Sequence, residues 1–196
     1  MLKRTLLVLT LSLFTVSVAW ATPTEDVKKT VDEVVHIVSD KEMKKNDTKR
    51  RQALKKAISG IFDYSEMAKR SLGKHWNTRT AAEKKHFTEL FATLLENSYA
   101  GKIESYNNEK IVYIKEIIED DYAEIKSKVV TAARDEFTLD YRLFKQNGKW
   151  MVYDVVIEGV SLVSNYRSQF NKIITSNGYD KLVKKLQSKN EELKAP

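Results

Sequence analysis

An arginine and an aspartate occupy positions where apolar residues are expected, and their pairing is the first chemistry the chain suggests. In VIEGVSLVSNYRSQF, residues 156–170, a strand-like run ends at Gly159 and a helix-like run begins near Ser161. Val163, Tyr166, Phe170 and Ile174 share one face of that helix, and Arg167 lies on the same face. Upstream, Asp154 falls among Phe137, Leu139, Leu143, Val152 and Val156 on one face of a predicted sheet. An unpaired buried charge is strongly destabilising, whereas an Arg–carboxylate pair satisfies both groups. The preferred reading is a structural ion pair between Asp154 and Arg167. Two others stand beside it. The guanidinium binds phosphate at a cavity mouth, or its stem lies on the apolar stripe while its head reaches solvent.

Other reactive side chains do not converge. His36, His75 and His86 form no i, i+4 pair, so surface or capping roles are expected rather than metal binding. The run GVSLV at 159–163 departs from a nucleophile elbow, because Val163 stands where the last glycine belongs. Glu119, Asp120 and Asp121 could hold calcium weakly, but a solvated turn accounts for them. There is no glycine-rich phosphate loop. The absence of cysteine excludes thiol catalysis, thiolate metal sites and disulfides. The expectation is a protein that is not an enzyme and needs no metal or cofactor.

The elements that position these residues follow from periodicity. Val27, Val31, Val34, Val35 and Val38 predict an amphipathic helix over 25–39. A basic linker, KKNDTKRR, leads to a second helix around 52–61 with Leu54, Ile58 and Ile61 on one side. Asp63 with Glu66, and Thr80 with Glu83, have the spacing of helix N-terminal caps, and Gly73 weakens the end of the first of these helices. Phe87, Leu90, Phe91, Leu94, Leu95, Tyr99 and Ile103 mark the longest helix, about 80–105.

From Glu109 to Ile157 the period changes to two. Asn147-Gly148 predicts a type I′ hairpin, whose two-residue loop sets Leu143 against Val152, Tyr141 against Asp154 and Leu139 against Val156. Two helices close the chain, about 161–176 and 179–190, separated by Asn177-Gly178. The order of elements predicts an α+β fold, with helices packed on one face of a curved, about four-stranded antiparallel sheet. No repeat or linker divides it.

The N-terminus reads as an export signal. Lys3 and Arg4 precede an uncharged, mostly apolar run to Trp20, shorter than a membrane span, and Ala19-Trp20-Ala21 supplies a small-x-small cleavage site. The expectation is a signal peptide over 1–21 and a single domain over 22–196. Without Lys3 and Arg4 the 34 basic residues fall to 32 against 27 acidic, a formal +5. That excess favours anionic surfaces such as lipid headgroups or an acidic partner. Nucleic acid is not expected, because no binding motif accompanies the charge.

FDYSEMAKRSLGKHW, FTELFATLLENSY and, above all, GKWMVYDVVIEGVSLVSNYRSQF resemble the MlaC family in order and over nearly all of the chain after residue 21. The resemblance implies a periplasmic phospholipid-binding carrier of a Gram-negative bacterium, described also as a toluene-tolerance or ABC-transporter auxiliary protein. It implies exchange of lipid with an inner-membrane ABC transporter bearing an MCE-domain subunit and with an outer-membrane lipoprotein–porin complex. That role maintains outer-membrane lipid asymmetry, and a shuttle favours a monomer.

Inward-reading positions supply the candidate lipid contacts: Trp76, Phe91, Leu95, Tyr99, Tyr106, Ile125, Val129, Leu139, Tyr141, Val152, Val163 and Tyr166. Periodicity does not distinguish a filled core from a hollow one. The apolar cavity that a curved sheet backed by helices can enclose is therefore an expectation, and an envelope adaptor with a solid core is the alternative.

Overall fold

The structure, a computed structural model, describes residues 21–194. The segment read as an export signal lies, apart from Ala21, outside the described residues. Helix α1 (Pro23–Ser39) opens with a capping box between Thr22 and Glu25, and Pro23 occupies its first turn. The basic stretch read as a linker is itself helical. Asp40 caps a single turn, α2 (Lys41–Lys44), and Asn46 caps α3 (Asp47–Ser59), so two polar caps override the charge repulsion along the run.

Asp63 caps α4 (Tyr64–Leu72), which ends at Gly73 with φ +52°, and a 3-10 turn (Gly73–His75) follows. Thr80 and Glu83 form the capping box of α5 (Ala81–Glu104). After the sheet come α6 (Leu162–Asn177), capped by Ser161 and ended by Gly178 at φ +81°, and α7 (Tyr179–Lys194).

The sheet is antiparallel, curved and unclosed, in the order β1-β2-β3-β4-β5. Four long strands, β1 (Lys110–Glu119), β2 (Tyr122–Val130), β3 (Glu136–Gln146) and β4 (Lys149–Ile157), form a meander. A two-residue fifth strand, β5 (Val160–Ser161), turns back on β4 and feeds α6.

The β3–β4 hairpin turns at Asn147 (φ 50°) and Gly148 (φ 79°), as a type I′ loop requires. Leu143 partners Val152 as expected, but the register then changes. Arg142 partners Asp154, Tyr141 partners Val155 and Leu139 partners Ile157. The expected pairs Tyr141–Asp154 and Leu139–Val156 are therefore not formed. Tyr153 is an extra residue on β4, a β-bulge. Val152 is held on its other edge by Ile61 and Asp63, and Tyr153 lies beneath Arg70, whose guanidinium is 3.9 Å from the ring centroid.

Three buried clusters flank the remaining space. Helices α4–α7 enclose Met67, Leu72, Phe87, Phe91, Val163, Phe170, Leu182 and their neighbours. The sheet buries Ile125, Leu143, Trp150 and Val152 against Val27 of α1 and Ile61. The third cluster packs Ile37 and Val38 of α1 on Leu54 and Ala57 of α3, and helix α5 runs from the helical core to it. Its first half, with Phe87 and Phe91, joins the helical core, and its last turns reach away from it towards α3.

Candidate ligand cavity

Between α1, α3, the second half of α5 and the sheet lies an apolar cavity of about 840 Å³. Its α1 wall is the valine stripe Val31, Val34, Val35 and Val38; α3 contributes Leu54 and Ile58. Helix α5 contributes Leu95, Tyr99, Ala100 and Ile103, and the sheet Ile111, Val129, Leu139, Tyr141, Val155 and Ile157. The bulge at Tyr153 makes the last two possible, because it turns Val155 and Ile157 onto the face that carries Tyr141 and Leu139.

The mouth is polar. The exposed members of the lining are Thr48, Arg51, Gln52 and Lys55 on α3, Lys102 and Ser105 at the end of α5, and Phe137 on β3. Arg51 lies 3.2 Å from Glu104, and Lys55 lies 2.9 Å from Glu96. Lys102 stands over the Tyr99 ring at 5.5 Å. Deeper in, burial pushes the phenols of Tyr141, Tyr64 and Tyr99 above their ordinary range, so all three remain neutral and donate or accept as hydroxyls. The lining carboxylates are occupied: Glu96 by Lys55, and Glu109 by the Asn107 N–H at 2.5 Å. Among the described residues no three His, Asp or Glu side chains converge as a metal site.

Of the candidate contacts, Leu95, Tyr99, Tyr106, Val129, Leu139 and Tyr141 line this cavity. The other six belong to filled cores. Phe91 and Tyr166 meet edge-to-face at 5.2 Å, both pack on Phe170, and Val163 is buried in the same cluster. Trp76 packs on that cluster beneath Lys84. Ile125 and Val152 are fully buried in the sheet core.

The valine stripe of α1 and the bulged residues Val155 and Ile157 were not among the candidate contacts. The stripe is periodic in the sequence, but periodicity does not tell that it packs on Leu54 of α3 and the sheet core at some positions and borders a void at others. The bulge depends on Val152 being held by Ile61 and Asp63, a long-range contact.

The expected Asp154–Arg167 pair is not formed. Asp154, 2% exposed, accepts from Ser161 Oγ at 2.6 Å, the Val163 N–H at 3.0 Å and Arg142 Nη1 at 3.4 Å. Its charge sits at the N-terminus of α6, where the helix dipole and free N–H groups stabilise it. Arg167 is exposed; its stem lies over Gly73, where an added Cβ would come within 3.3 Å of Cδ, and Nη2 donates to Ser164 Oγ. The arginine on the apolar stripe therefore lies along it and reaches solvent.

An α+β shell around an apolar cavity with a polar mouth is a fold with room for an apolar ligand. The family model described as MlaC protein matches residues 28–188, and the chain belongs to the MlaC family. It is 28% identical over 121 residues to the intermembrane phospholipid transport system binding protein MlaC of Haemophilus influenzae, a match covering 59% of this chain and 56% of that protein. It is 26% identical over 183 residues to the toluene tolerance protein ttg2D of Pseudomonas putida, covering 91% and 85%. A phospholipid-binding protein from Ralstonia solanacearum, solved in complex with a phospholipid, superimposes with a TM-score of 0.82 at 26% identity, covering 89% of this chain and all of that one.

Proposed function

We propose that this chain is a periplasmic phospholipid carrier that encloses acyl tails in the α1–α3–α5–sheet cavity and leaves the headgroup at the polar mouth. The observation that carries the reading is the cavity's size and lining, together with the phospholipid complex of its structural relative. A methylene is about the size of a water molecule, whose share of liquid volume is ~30 Å³, so 840 Å³ has room for roughly two acyl chains. At ~0.8 kcal/mol per buried CH₂ the gross transfer free energy of two chains is ~20 kcal/mol. A carrier crossing water therefore has to enclose the tails almost completely, whereas the wet headgroup needs few specific contacts.

On this reading Leu95, Tyr99, Tyr106, Val129, Leu139 and Tyr141 contact lipid, joined by Val31, Val34, Val35, Val155 and Ile157. Residues 1–21 direct export, and the chain exchanges phospholipid as a monomer between an outer-membrane lipoprotein–porin complex and an inner-membrane MCE-domain ABC transporter. The solid-core adaptor is disfavoured by a void of this volume.

The test is to export the full chain on its own N-terminal segment, purify it without detergent, and compare native with denaturing mass spectra. A phospholipid mass bound natively and released on denaturation is expected. A clean apo mass that persists after incubation with phospholipid vesicles would overturn the reading.

A further inference from the structure

Arg51, Lys55 and Lys102 at the cavity mouth continue into further basic side chains on α2 and the start of α3, a collar of positive charge on that side of the opening. Residues 40–56 carry eight basic side chains against Asp40, Glu42 and Asp47. Arg50, Arg51, Lys45 and Lys55 are tied to carboxylates, and Arg50 also donates to the Lys44 carbonyl, which places α2 beside the α3–α5 contact at Glu104. Lys41, Lys44 and Lys49 on α2 and α3, and Lys102 at the mouth, are exposed and make no ion pair among the described residues. Phe137, 37% exposed, also belongs to the lining, an apolar side chain among the exposed members of the mouth.

We propose that this collar is a docking surface for the anionic face of a phospholipid bilayer, seating the cavity mouth on the headgroup plane. The inference rests on the reading of the cavity as a phospholipid carrier. Charge complementarity selects an anionic surface, and the composition selects a fluid one. Protein interfaces are depleted in lysine and organised around buried aromatic anchors, whereas this surface is lysine-rich, with flexible exposed side chains and one apolar residue at its edge. A bilayer accepts such a diffuse pattern without a matched shape, and Phe137 can enter the interface beside the mouth. Docking would then hold the mouth at the headgroup plane, beside the membrane complexes with which lipid is exchanged.

Basic charge occurs elsewhere, on α7 at Lys181, Lys184 and Lys185, which makes location testable. Helix α7 begins against the start of α5, where the Tyr179 hydroxyl donates to the Glu83 carbonyl. The collar adjoins the other end of α5 at Glu104, about 32 Å from Glu83 along the helix.

The experiment is co-flotation of the exported protein with vesicles of phosphatidylcholine alone and of phosphatidylcholine mixed with phosphatidylglycerol, at low and high ionic strength. Wild type is expected to float with the anionic vesicles only, and less at high salt. Lys41→Glu/Lys44→Glu/Lys49→Glu is expected to weaken flotation by at least about a hundredfold, whereas Lys181→Glu/Lys184→Glu/Lys185→Glu retains it. Equal loss in both variants overturns the proposal in favour of undirected basicity. Absence of flotation by wild type overturns it in favour of an acidic protein at the collar. Native mass spectra of the same samples separate this from the cavity reading. A lipid-loaded wild type that does not float contradicts docking alone, and an apo protein that floats contradicts the carrier alone.

Discussion

Arg142 on β3 stands directly opposite Asp154 on β4, with Nη1 3.4 Å from Oδ2. The bulge at Tyr153 creates that pairing, and it sets two features at once. It delivers the Asp154 carboxylate to the N-terminus of α6, and it turns Val155 and Ile157 into the cavity. One extra residue in a strand thus joins the helical bundle to the sheet and shapes the wall that a ligand would meet.

Asp154→Ala is expected to lower stability by about 2–3 kcal/mol, because it leaves the Val163 N–H, the Ser161 hydroxyl and Arg142 without their shared acceptor. Arg167→Ala removes only a surface stem over Gly73 and is expected to change stability by less than about 0.5 kcal/mol. Urea unfolding of the two variants decides between them. Equal losses would restore a structural role for Arg167.

Cavity and core positions respond differently to added volume. Leu139→Trp projects into the void and is expected to cut co-purified phospholipid several-fold with little change in thermal midpoint. Val152→Phe has no void to enter and is expected to destabilise the fold by about 1–3 kcal/mol. Lipid phosphorus per protein and thermal unfolding, measured on both, test the assignment.

Alkaline pH exposes the buried phenols. Burial, reinforced by the Asp32 carboxylate, pushes the Tyr113 phenol up to about 12, and its hydroxyl is buried with no hydrogen-bond partner. A phenol raised above its unfolded value near 10 contributes stability that is complete below pH 10 and lost as pH rises through 12. Lys126, raised by its bonds to Asp140 and Glu124, loses its contribution as pH rises above its ordinary range, so the diagnostic is a difference. Tyr113→Phe is expected to match or exceed wild-type stability at pH 7 and to show the smaller loss above pH 10, in urea midpoints taken across that range.

Glu116 of β1 receives the Thr24 N–H at 2.7 Å and the Thr24 hydroxyl at 2.5 Å, fastening the first turn of α1 to the sheet edge. Glu116→Ala is expected to cost about 1 kcal/mol and to speed hydrogen exchange in the first turns of α1. Unchanged exchange there would show that the valine stripe alone holds the helix.

Local signals in the sequence were sufficient for most helix ends and for the hairpin turn, though not for α2 or for the register beyond Val152. Thr80 with Glu83, Asp63 with Glu66, Gly73, Asn147-Gly148 and Gly178 each act within a few residues, and each is found in the predicted role. The family resemblance, carried above all by 148–170, points to the same family as the match over 28–188. The site was only half legible. Tyr99 and Phe91 sit on the same apolar face of one helix, yet Phe91 is enclosed by Tyr166 and Phe170 while Tyr99 packs at the edge of that cluster and lines the cavity. Nothing within α5 encodes that difference, because it depends on where α6 ends its contact and α3 begins. The same holds for Val152 and Val155, separated by a bulge that a contact from Ile61 and Asp63 holds in place.

The most direct test places a photo-crosslinking residue at each kind of position. Tyr99→p-benzoylphenylalanine and Tyr106→p-benzoylphenylalanine report from the cavity, and Tyr166→p-benzoylphenylalanine from the helical core. After irradiation of protein purified without detergent, phospholipid adducts are expected at 99 and 106 and not at 166. Lipid that co-purifies yet crosslinks only at 166 would contradict the cavity as the lipid-binding site.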